Sequence, residues 1–165
     1  MTPYEFATTV GENSGMRLEI AGGIPTWEAF PTARHQLTVD RIRATIKPGT
    51  VGESGCACFH LADVYVKFPD GSLKRPDIAV FRTTAVELDT AITVIPEAVI
   101  EIITKDYREK DLAVGVPFYL RMGVKDMLVY DPETNTVSHF RPGARTAEYP
   151  SPRTVALACG CTVTV

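Results

Sequence analysis

Two short apolar stretches, Arg75-Pro76-Asp77-Ile78-Ala79-Val80-Phe81 and Ala98-Val99-Ile100-Glu101-Ile102-Ile103, decide how this chain folds. Both are aliphatic and bounded by proline or polar residues, which is typical of strands buried on both faces. Each strand carries one acid, and a buried carboxylate costs free energy unless it has a partner. Two carboxylates brought together repel each other, and a divalent cation with oxygen ligands relieves that repulsion. The pattern favours a metal-dependent hydrolase, although Asp77 could instead cap a turn and Glu101 could face water on an edge strand.

The composition is that of an ordinary globular protein. The chain has 165 residues, of which 45% are hydrophobic and 22% charged, enough for one domain with a substantial core. It contains no apolar run of about 18 residues, and its first residues lack a basic segment followed by an apolar one. We therefore expect a cytoplasmic protein without membrane contact. The net charge of −3 argues against nucleic-acid binding by bulk charge but leaves a local basic groove open.

The order of the predicted elements favours an α/β fold with a mixed β-sheet flanked by helices. We expect a helix within residues 1–15, a hairpin over 17–30, and a helix over 32–46 with one apolar stripe. The remaining predicted strands cover residues 56–68, 77–82, 98–103, 124–130, 137–141, 154–158 and 161–165. Short helical segments are expected over 105–111 and 117–122.

Several short motifs, in this order and spacing, resemble a known family. They are Arg17-Leu18-Glu19-Ile20, Arg34-His35-Gln36, Ala62-Asp63-Val64, Asp70-Gly71, Pro76-Asp77-Ile78, Ile100-Glu101-Ile102, Tyr119, Gly123-Val124 and Val129-Tyr130-Asp131-Pro132. From about Arg17 to its end, the chain resembles the "putative restriction endonuclease" family called Uma-two, within the PD-(D/E)XK nuclease superfamily. The resemblance implies a single restriction-endonuclease-like domain over residues 1–165.

The resemblance also implies a metal site and a substrate. Asp77 and Glu101, which are 24 positions apart, would bind Mg²⁺ or Mn²⁺, with the backbone carbonyl of Ile102 as a third ligand. The metal would activate water and neutralise charge on a phosphodiester. DNA is therefore the implied partner and endonucleolytic hydrolysis the implied activity, while formation of a homodimer is left open.

The chain departs from the family pattern at the lysine that would orient water and stabilise developing charge. Ile103 occupies the Glu-x-Lys position, and Gly115 lies four residues before the helical tyrosine, where relatives commonly carry a lysine. Lys105 and Lys110 are nearby substitutes, and we favour Lys110 because it precedes the family's helical Asp-Leu pair. The alternative function is a nuclease fold that binds nucleic acid or protein without cleaving.

The second predicted helix supplies further candidates. His35 lies on the apolar stripe, so it is either a core histidine or a support for the two carboxylates. Gln36 points nearly a third of a turn away, toward solvent or toward the site. Arg34, Thr38 and Arg41 share another face, which is either solvated or in contact with phosphates.

Two more acids follow the family pattern. Asp63 could form local hydrogen bonds or lie at the edge of the metal site. Glu19 is expected to have a structural role, paired with a cation from a helix. We therefore leave both out of the predicted metal ligands.

The four cysteines form two Cys-x-Cys pairs, Cys56 with Cys58 and Cys159 with Cys161. Residues i and i+2 share one face of a strand, so four thiols could gather into a tetrahedral zinc site if the two segments pair. That would make the chain a zinc-stabilised interaction module, a third hypothesis. Because the spacing is not the usual Cys-x-x-Cys, we expect reduced, mostly buried cysteines without zinc. The expected intracellular location also argues against a disulfide.

Overall fold

Strands β7 (Ile78–Phe81) and β8 (Ala98–Ile102) lie at the centre of the protein, because their side chains are almost all apolar and buried. The computed structural model describes residues 1–50, 55–105 and 110–165, with the side chain of Lys110 excepted. The two strands pair antiparallel, with Ile78 opposite Ile100. On its other side, β8 pairs in parallel with β9 (Asp126–Asp131), so the sheet is mixed, as predicted.

Three sheets are present within the described residues. The other strands are β1 (Met16–Ala21), β2 (Ile24–Ala29), β3 (Lys47–Pro48), β4 (Phe59–Ala62), β5 (Val66–Lys67), β6 (Leu73–Lys74), β10 (Thr136–Phe140), β11 (Ala147–Pro150), β12 (Thr154–Ala156) and β13 (Cys161–Thr164). The six-stranded sheet has the order β11-β10-β9-β8-β7-β4. A four-stranded sheet, β2-β1-β6-β5, and a three-stranded sheet, β12-β13-β3, complete the arrangement.

The helices begin where the sequence provides caps. Helix α1 (Pro3–Ser14) starts after Thr2, whose hydroxyl accepts a hydrogen bond from the third helical N–H. Helix α2 (Ala33–Arg43) starts after Thr32 in the same way. A π-helical turn (Lys110–Gly115) leads into α3 (Val116–Arg121). No helix in the described part of the chain is long and apolar enough to cross a membrane.

The six-stranded sheet is covered on both faces. Val39 and Ile42 of α2 belong to one buried apolar cluster, together with residues of β12 and β13. Phe118 and Tyr119 of α3 belong to a second cluster on the opposite face. Because side chains alternate along β8, Ile100 packs in the first cluster and Val99 in the second. The centre of the sheet is therefore shielded from water on both faces, except where an acidic side chain interrupts the apolar residues.

The single long strand predicted over residues 56–68 is wrong. The segment divides into β4 and β5, which belong to different sheets. Asp63 lies between them with a positive φ of 58°, a backbone conformation that interrupts an extended strand. Its carboxylate binds Arg17 and Arg75, and these ion pairs offset the cost of that conformation. The alternating apolar residues on both sides of Asp63 hid the break.

The prediction that all four cysteines are reduced is also wrong. Cys58 and Cys161 form a disulfide with a Cα–Cα distance of 5.8 Å, whereas Cys56 and Cys159 are free. The bond joins residues 103 positions apart, so only the tertiary fold brings the two together. The burial of the cysteines is confirmed for three of them, and Cys56 is half-buried.

Candidate metal centre

A cavity of about 190 Å³ opens where the start of α2 meets the start of β7 and the end of β8. It is lined by acids, bases and a few apolar residues. They are Arg17, Glu19, Glu28, Ala29, Phe30, Pro31, Thr32, His35, Lys74, Arg75, Asp77, Glu101, Ile102, Thr104, Asp111, Gly115 and Tyr119. The cavity therefore brings Asp77, Glu101, His35 and Ile102 together, four residues that sequence reasoning assigned to one site.

Hydrogen bonds to both of its carboxylate oxygens hold Asp77 in place. His35 Nε2 lies 2.9 Å from Asp77 Oδ1, and both side chains are more than nine-tenths buried. The backbone N–H of Ile102 donates to Asp77 Oδ2 at 2.8 Å. His35 comes from the first turn of α2 and Ile102 from the end of β8, so two separate elements orient this one acid. Of the two interpretations of His35, the structure favours support of the carboxylate over a purely apolar core role.

Glu101 lies at the end of β8 and is tied to Asp77 and to α3. The backbone N–H of Asp77 donates to Glu101 Oε2 at 3.1 Å, and the Tyr119 hydroxyl donates to Glu101 Oε1 at 3.1 Å. In the sequence, Tyr119 is recognisable only as a landmark of the family. Its phenol is fully buried, and its position in α3 opposite Glu101 depends on packing that a single sequence does not reveal.

The electrostatics of the cavity favour a positive ligand. Burial raises the pKa of the Glu101 carboxyl well above its ordinary value, and the negative charges of Asp77, Asp111 and Glu19 add to that effect. Burial also raises the pKa of Tyr119 well above its ordinary value, so the phenol keeps its proton and acts as a donor. A divalent cation would relieve the mutual repulsion of the acids, and oxygen ligands are what Mg²⁺ and Mn²⁺ prefer.

The cavity contains a cation that sequence reasoning missed. The ammonium group of Lys74, in β6, forms an ion pair with Glu19 of β1, and both residues are almost completely buried. Glu19 also accepts a hydrogen bond of 2.6 Å from the backbone N–H of Arg75. A cation from a helix is the expected partner of Glu19, whereas the described cation, Lys74, lies in a neighbouring strand. β6 has only two residues, so its sequence gives no periodic signal.

A second ion-pair network borders the cavity. Arg17 binds Glu28 at 3.1 Å and also binds Asp63. Arg75 donates from Nε to Asp63 Oδ1 at 2.9 Å. Asp63 is not among the described residues that line the cavity, so its carboxylate ties the strands together beside the site.

The other predicted site residues lie in different places. Gln36 is half-buried and does not line the cavity within the described part of the chain. Lys105 is exposed, in a groove next to the cavity. Lys110 begins the π-helical turn, and its side chain lies outside the described residues. Ile103 is buried in the apolar cluster beneath α3, whereas Gly115 lines the cavity.

The groove beside the cavity has a volume of about 290 Å³ and shares part of its wall. The shared residues are Thr32, His35, Ile102 and Thr104. Arg34 and Lys105 supply its positive charges, and Asp131 and Glu133 supply negative charges at its far side. Arg34 and Thr38 also line a shallow depression with Arg41, so the predicted common face of these three residues is confirmed.

A mixed sheet flanked by helices, with two acids at the ends of neighbouring strands, defines a restriction-endonuclease-like fold. The chain belongs to the Uma2 family, described as "Putative restriction endonuclease", whose family model matches residues 3–159. The fold is similar to the crystal structure of "a putative nuclease belonging to DUF820" from Anabaena variabilis ATCC 29413, with a TM-score of 0.64. That likeness covers 87% of this chain and 83% of the other at 19% sequence identity. No curated protein matches the chain.

Proposed function

We propose that this protein is a divalent-metal-dependent nuclease that cleaves DNA phosphodiester bonds at the Asp77–Glu101 cavity. One observation carries the proposal. Two acids from adjacent strands, linked by the hydrogen bond from the Asp77 N–H to Glu101 Oε2, line one cavity with three further acids. Membership of the "Putative restriction endonuclease" family also supports a nuclease function.

The donor set fits a hard cation such as Mg²⁺ or Mn²⁺. Asp77 and Glu101 would supply carboxylate oxygens, and the Ile102 carbonyl would supply a third oxygen. When bound, such an ion lowers the pKa of water and offsets phosphate charge. His35 keeps one Asp77 oxygen oriented, and the Ile102 N–H keeps the other, so the acid is in place before any ligand arrives.

Lys74 and Lys110 are both candidates to stabilise developing charge in place of the missing family lysine. Lys74 lines the cavity and already neutralises Glu19, whereas Lys105 belongs to the neighbouring groove. A buried ammonium beside the reacting phosphate would stabilise developing negative charge. Gly115 leaves the usual lysine position without a side chain, so a cation has to come from another element.

The groove beside the cavity provides a path for the DNA backbone. Arg34 and Lys105 can contact phosphates there, because the groove shares a wall with the cavity and leads away along α2. Arg41 extends the positive charge along the same helical face. Phosphate contacts of this kind position a strand without reading its sequence.

A plasmid-nicking assay with Mn²⁺ tests the proposal. We expect weak nicking by the unaltered protein, none by Glu101→Gln, and a strong reduction in Lys110→Ala, with Lys105→Ala as the control for general loss of positive charge. Calorimetry should show that Asp77→Ala and Glu101→Ala no longer bind Mn²⁺. Nicking that persists in Glu101→Gln, or unchanged Mn²⁺ binding by both alanine variants, contradicts the proposed site.

A fold that binds without cleaving is the second candidate function. The observation in its favour is that Ile103 is buried in an apolar cluster and Gly115 has no side chain, so neither usual lysine position carries a cation. Absence of cleavage with any divalent metal, on duplex and single-stranded DNA, combined with DNA binding that Arg34→Ala weakens, would support this alternative.

A further inference from the structure

The fold brings together two Cys-x-Cys pairs that are about 100 residues apart in the sequence. Cys56 and Cys58 precede β4, Cys159 lies in the turn between β12 and β13, and Cys161 is the first residue of β13. The sulfur atoms of Cys56, Cys58 and Cys161 all lie within 4.8 Å of one another. The sulfur atoms of Cys56 and Cys161 are 3.4 Å apart. Cys159 is not one of these three sulfurs, but it is buried in the same apolar cluster as Cys58 and Cys161.

Each Cys-x-Cys pair lies at a turn of the chain. The Cys58 N–H donates a hydrogen bond to Cys56 Sγ, 3.4 Å away. A positive φ at Cys58 (49°) and at Gly160 (94°) produces both turns. The chain therefore bends at the second cysteine in one pair and at the intervening glycine in the other.

The disulfide involves only two of the four cysteines. Cys56 and Cys159 are free, and both lie in or against the buried cluster that contains the Cys58–Cys161 bond. A covalent link between two segments needs two cysteines, whereas a tetrahedral zinc ion uses four sulfur ligands about 2.3 Å from the metal and thus about 3.8 Å from one another. The separation between Cys56 and Cys161 is close to that spacing.

We propose that the reduced protein binds one zinc ion through Cys56, Cys58, Cys159 and Cys161, and that the Cys58–Cys161 disulfide is the oxidised, metal-free state. A dithiol reductant transfers two electrons and two protons to the disulfide and itself becomes a disulfide, which leaves four thiols in the protein. Zinc then displaces the thiol protons. In the reverse direction, a small-molecule disulfide accepts two electrons from the Cys58 and Cys161 thiolates, the bond between them forms, and zinc is released.

The position of the cluster gives such a zinc ion a structural role, independent of the nuclease proposal. Four protein ligands leave no open coordination position for substrate. The ion would attach the β12–β13 hairpin to the segment that precedes β4, the edge strand of the six-stranded sheet. Cys58, Cys159 and Cys161 are buried, and the half-buried Cys56 leaves one side of the cluster accessible to a metal from solvent.

Zinc titration of the full chain, reduced with dithiothreitol and freed of metal, tests the proposal. The Asp77→Asn protein should be titrated in parallel, because its carboxylate site is disabled and any zinc bound must come from the cysteines. We expect about one zinc per chain in both proteins by elemental analysis. Cobalt in place of zinc should give the visible absorption of a tetrahedral thiolate site. Zinc should also protect all four thiols from iodoacetamide, counted by mass spectrometry on the unaltered protein.

Single substitutions separate a four-cysteine site from a simple disulfide. Cys56→Ser and Cys159→Ser leave the disulfide pair intact but each remove one proposed ligand, so both should lose zinc affinity at least tenfold. Both should keep the Mn²⁺ binding of the unaltered protein if that carboxylate site exists. Reduced protein that binds no zinc, thiols that zinc does not protect, or zinc binding unaffected by both substitutions would each overturn the proposal.

Discussion

His35 Nε2 and Asp77 Oδ1 are 2.9 Å apart, and the contact joins the first turn of α2 to the start of β7 across 42 residues of sequence. The helix begins just after Thr32, whose hydroxyl accepts a hydrogen bond from the His35 N–H at 3.3 Å. The helix cap therefore positions His35, and His35 in turn positions the Asp77 carboxylate. A helix terminus, a histidine and a carboxylate form one positioning unit at the wall of the cavity.

His35→Ala should weaken Mn²⁺ binding by about 10- to 100-fold, the range found when a residue that orients a metal ligand is removed. The reason is that Asp77 keeps its bond from the Ile102 N–H but loses its second anchor. Calorimetry measures the affinity, and Asp89→Asn, which alters an exposed acid, serves as the control. Unchanged affinity in His35→Ala would show that the histidine only fills space.

Mn²⁺ binding should strengthen as the pH rises. Because burial raises the pKa of Glu101 well above its ordinary value, the metal-free site holds a proton that the ion must displace. Displacement of one proton changes the apparent affinity by about tenfold per pH unit below that raised pKa. Calorimetry in two buffers of different ionisation enthalpy counts the protons released. An Mn²⁺ affinity that does not change with pH contradicts the prediction.

Lys74→Met should reduce nicking by about 10²- to 10³-fold if Lys74 stabilises developing charge. The substitution also leaves Glu19 buried without its ammonium partner, so a loss of stability has to be separated from a loss of chemistry. The double variant Lys74→Met/Glu19→Gln removes the unpaired charge. We expect it to recover thermal stability without recovering activity.

Lys67→Met is the matched control, because Lys67 is exposed in β5, the strand next to Lys74 in the same sheet. It should nick DNA as the unaltered protein does. Recovery of activity in the double variant, together with stability, would reduce Lys74 to a structural partner of Glu19.

The free energy of unfolding should fall in acid because the Asp126 carboxylate becomes protonated. Burial alone would raise the pKa of this carboxyl, but hydrogen bonds from His139, the Ala158 N–H and Arg141 outweigh burial and lower it. Because the folded pKa lies below the unfolded value, the stabilisation is present above the unfolded pKa, about 3.9, and is lost as the pH falls through the folded one.

Asp126→Asn should therefore lower the free energy of unfolding at pH 7 by about 3 kcal/mol, because a buried pair is broken. It should also flatten the decline of stability in acid. Urea denaturation from pH 3 to pH 7 measures both effects, with Asp89→Asn as the reference. An acid dependence identical to that of the unaltered protein would exclude this role for Asp126.

The main sheet and the acid pair could be predicted because their signals are local. The strands around Asp77 and Glu101 are neighbours, as expected from two short apolar runs that each carry one acid. The hairpin of β1 and β2, with its turn at Gly22 and Gly23, is also confirmed, because adjacent glycines allow the positive φ that both adopt.

The remaining features depend on contacts between distant residues. Lys74 lies in a two-residue strand, and its importance arises only when β6 pairs with β1 and brings the lysine to Glu19. The break at Asp63 follows from two arginines, one of which is 46 residues away. The pairing of Cys58 with Cys161 likewise has no local signal. A single sequence shows which residue types are present, but it does not show which distant residues come into contact.

The hydrogen bond from Tyr119 to Glu101 gives the cavity a chromophore of its own. The absorbance of a phenol depends on its hydrogen bonding and on nearby charge, and this phenol donates directly to one oxygen of Glu101. Arrival of a cation at that carboxylate would alter the ultraviolet difference spectrum of the unlabelled protein. Of the six tyrosines, Tyr119 can be isolated by subtracting the spectrum of Tyr119→Phe. The occupancy of the site can therefore be followed in real time by light absorption.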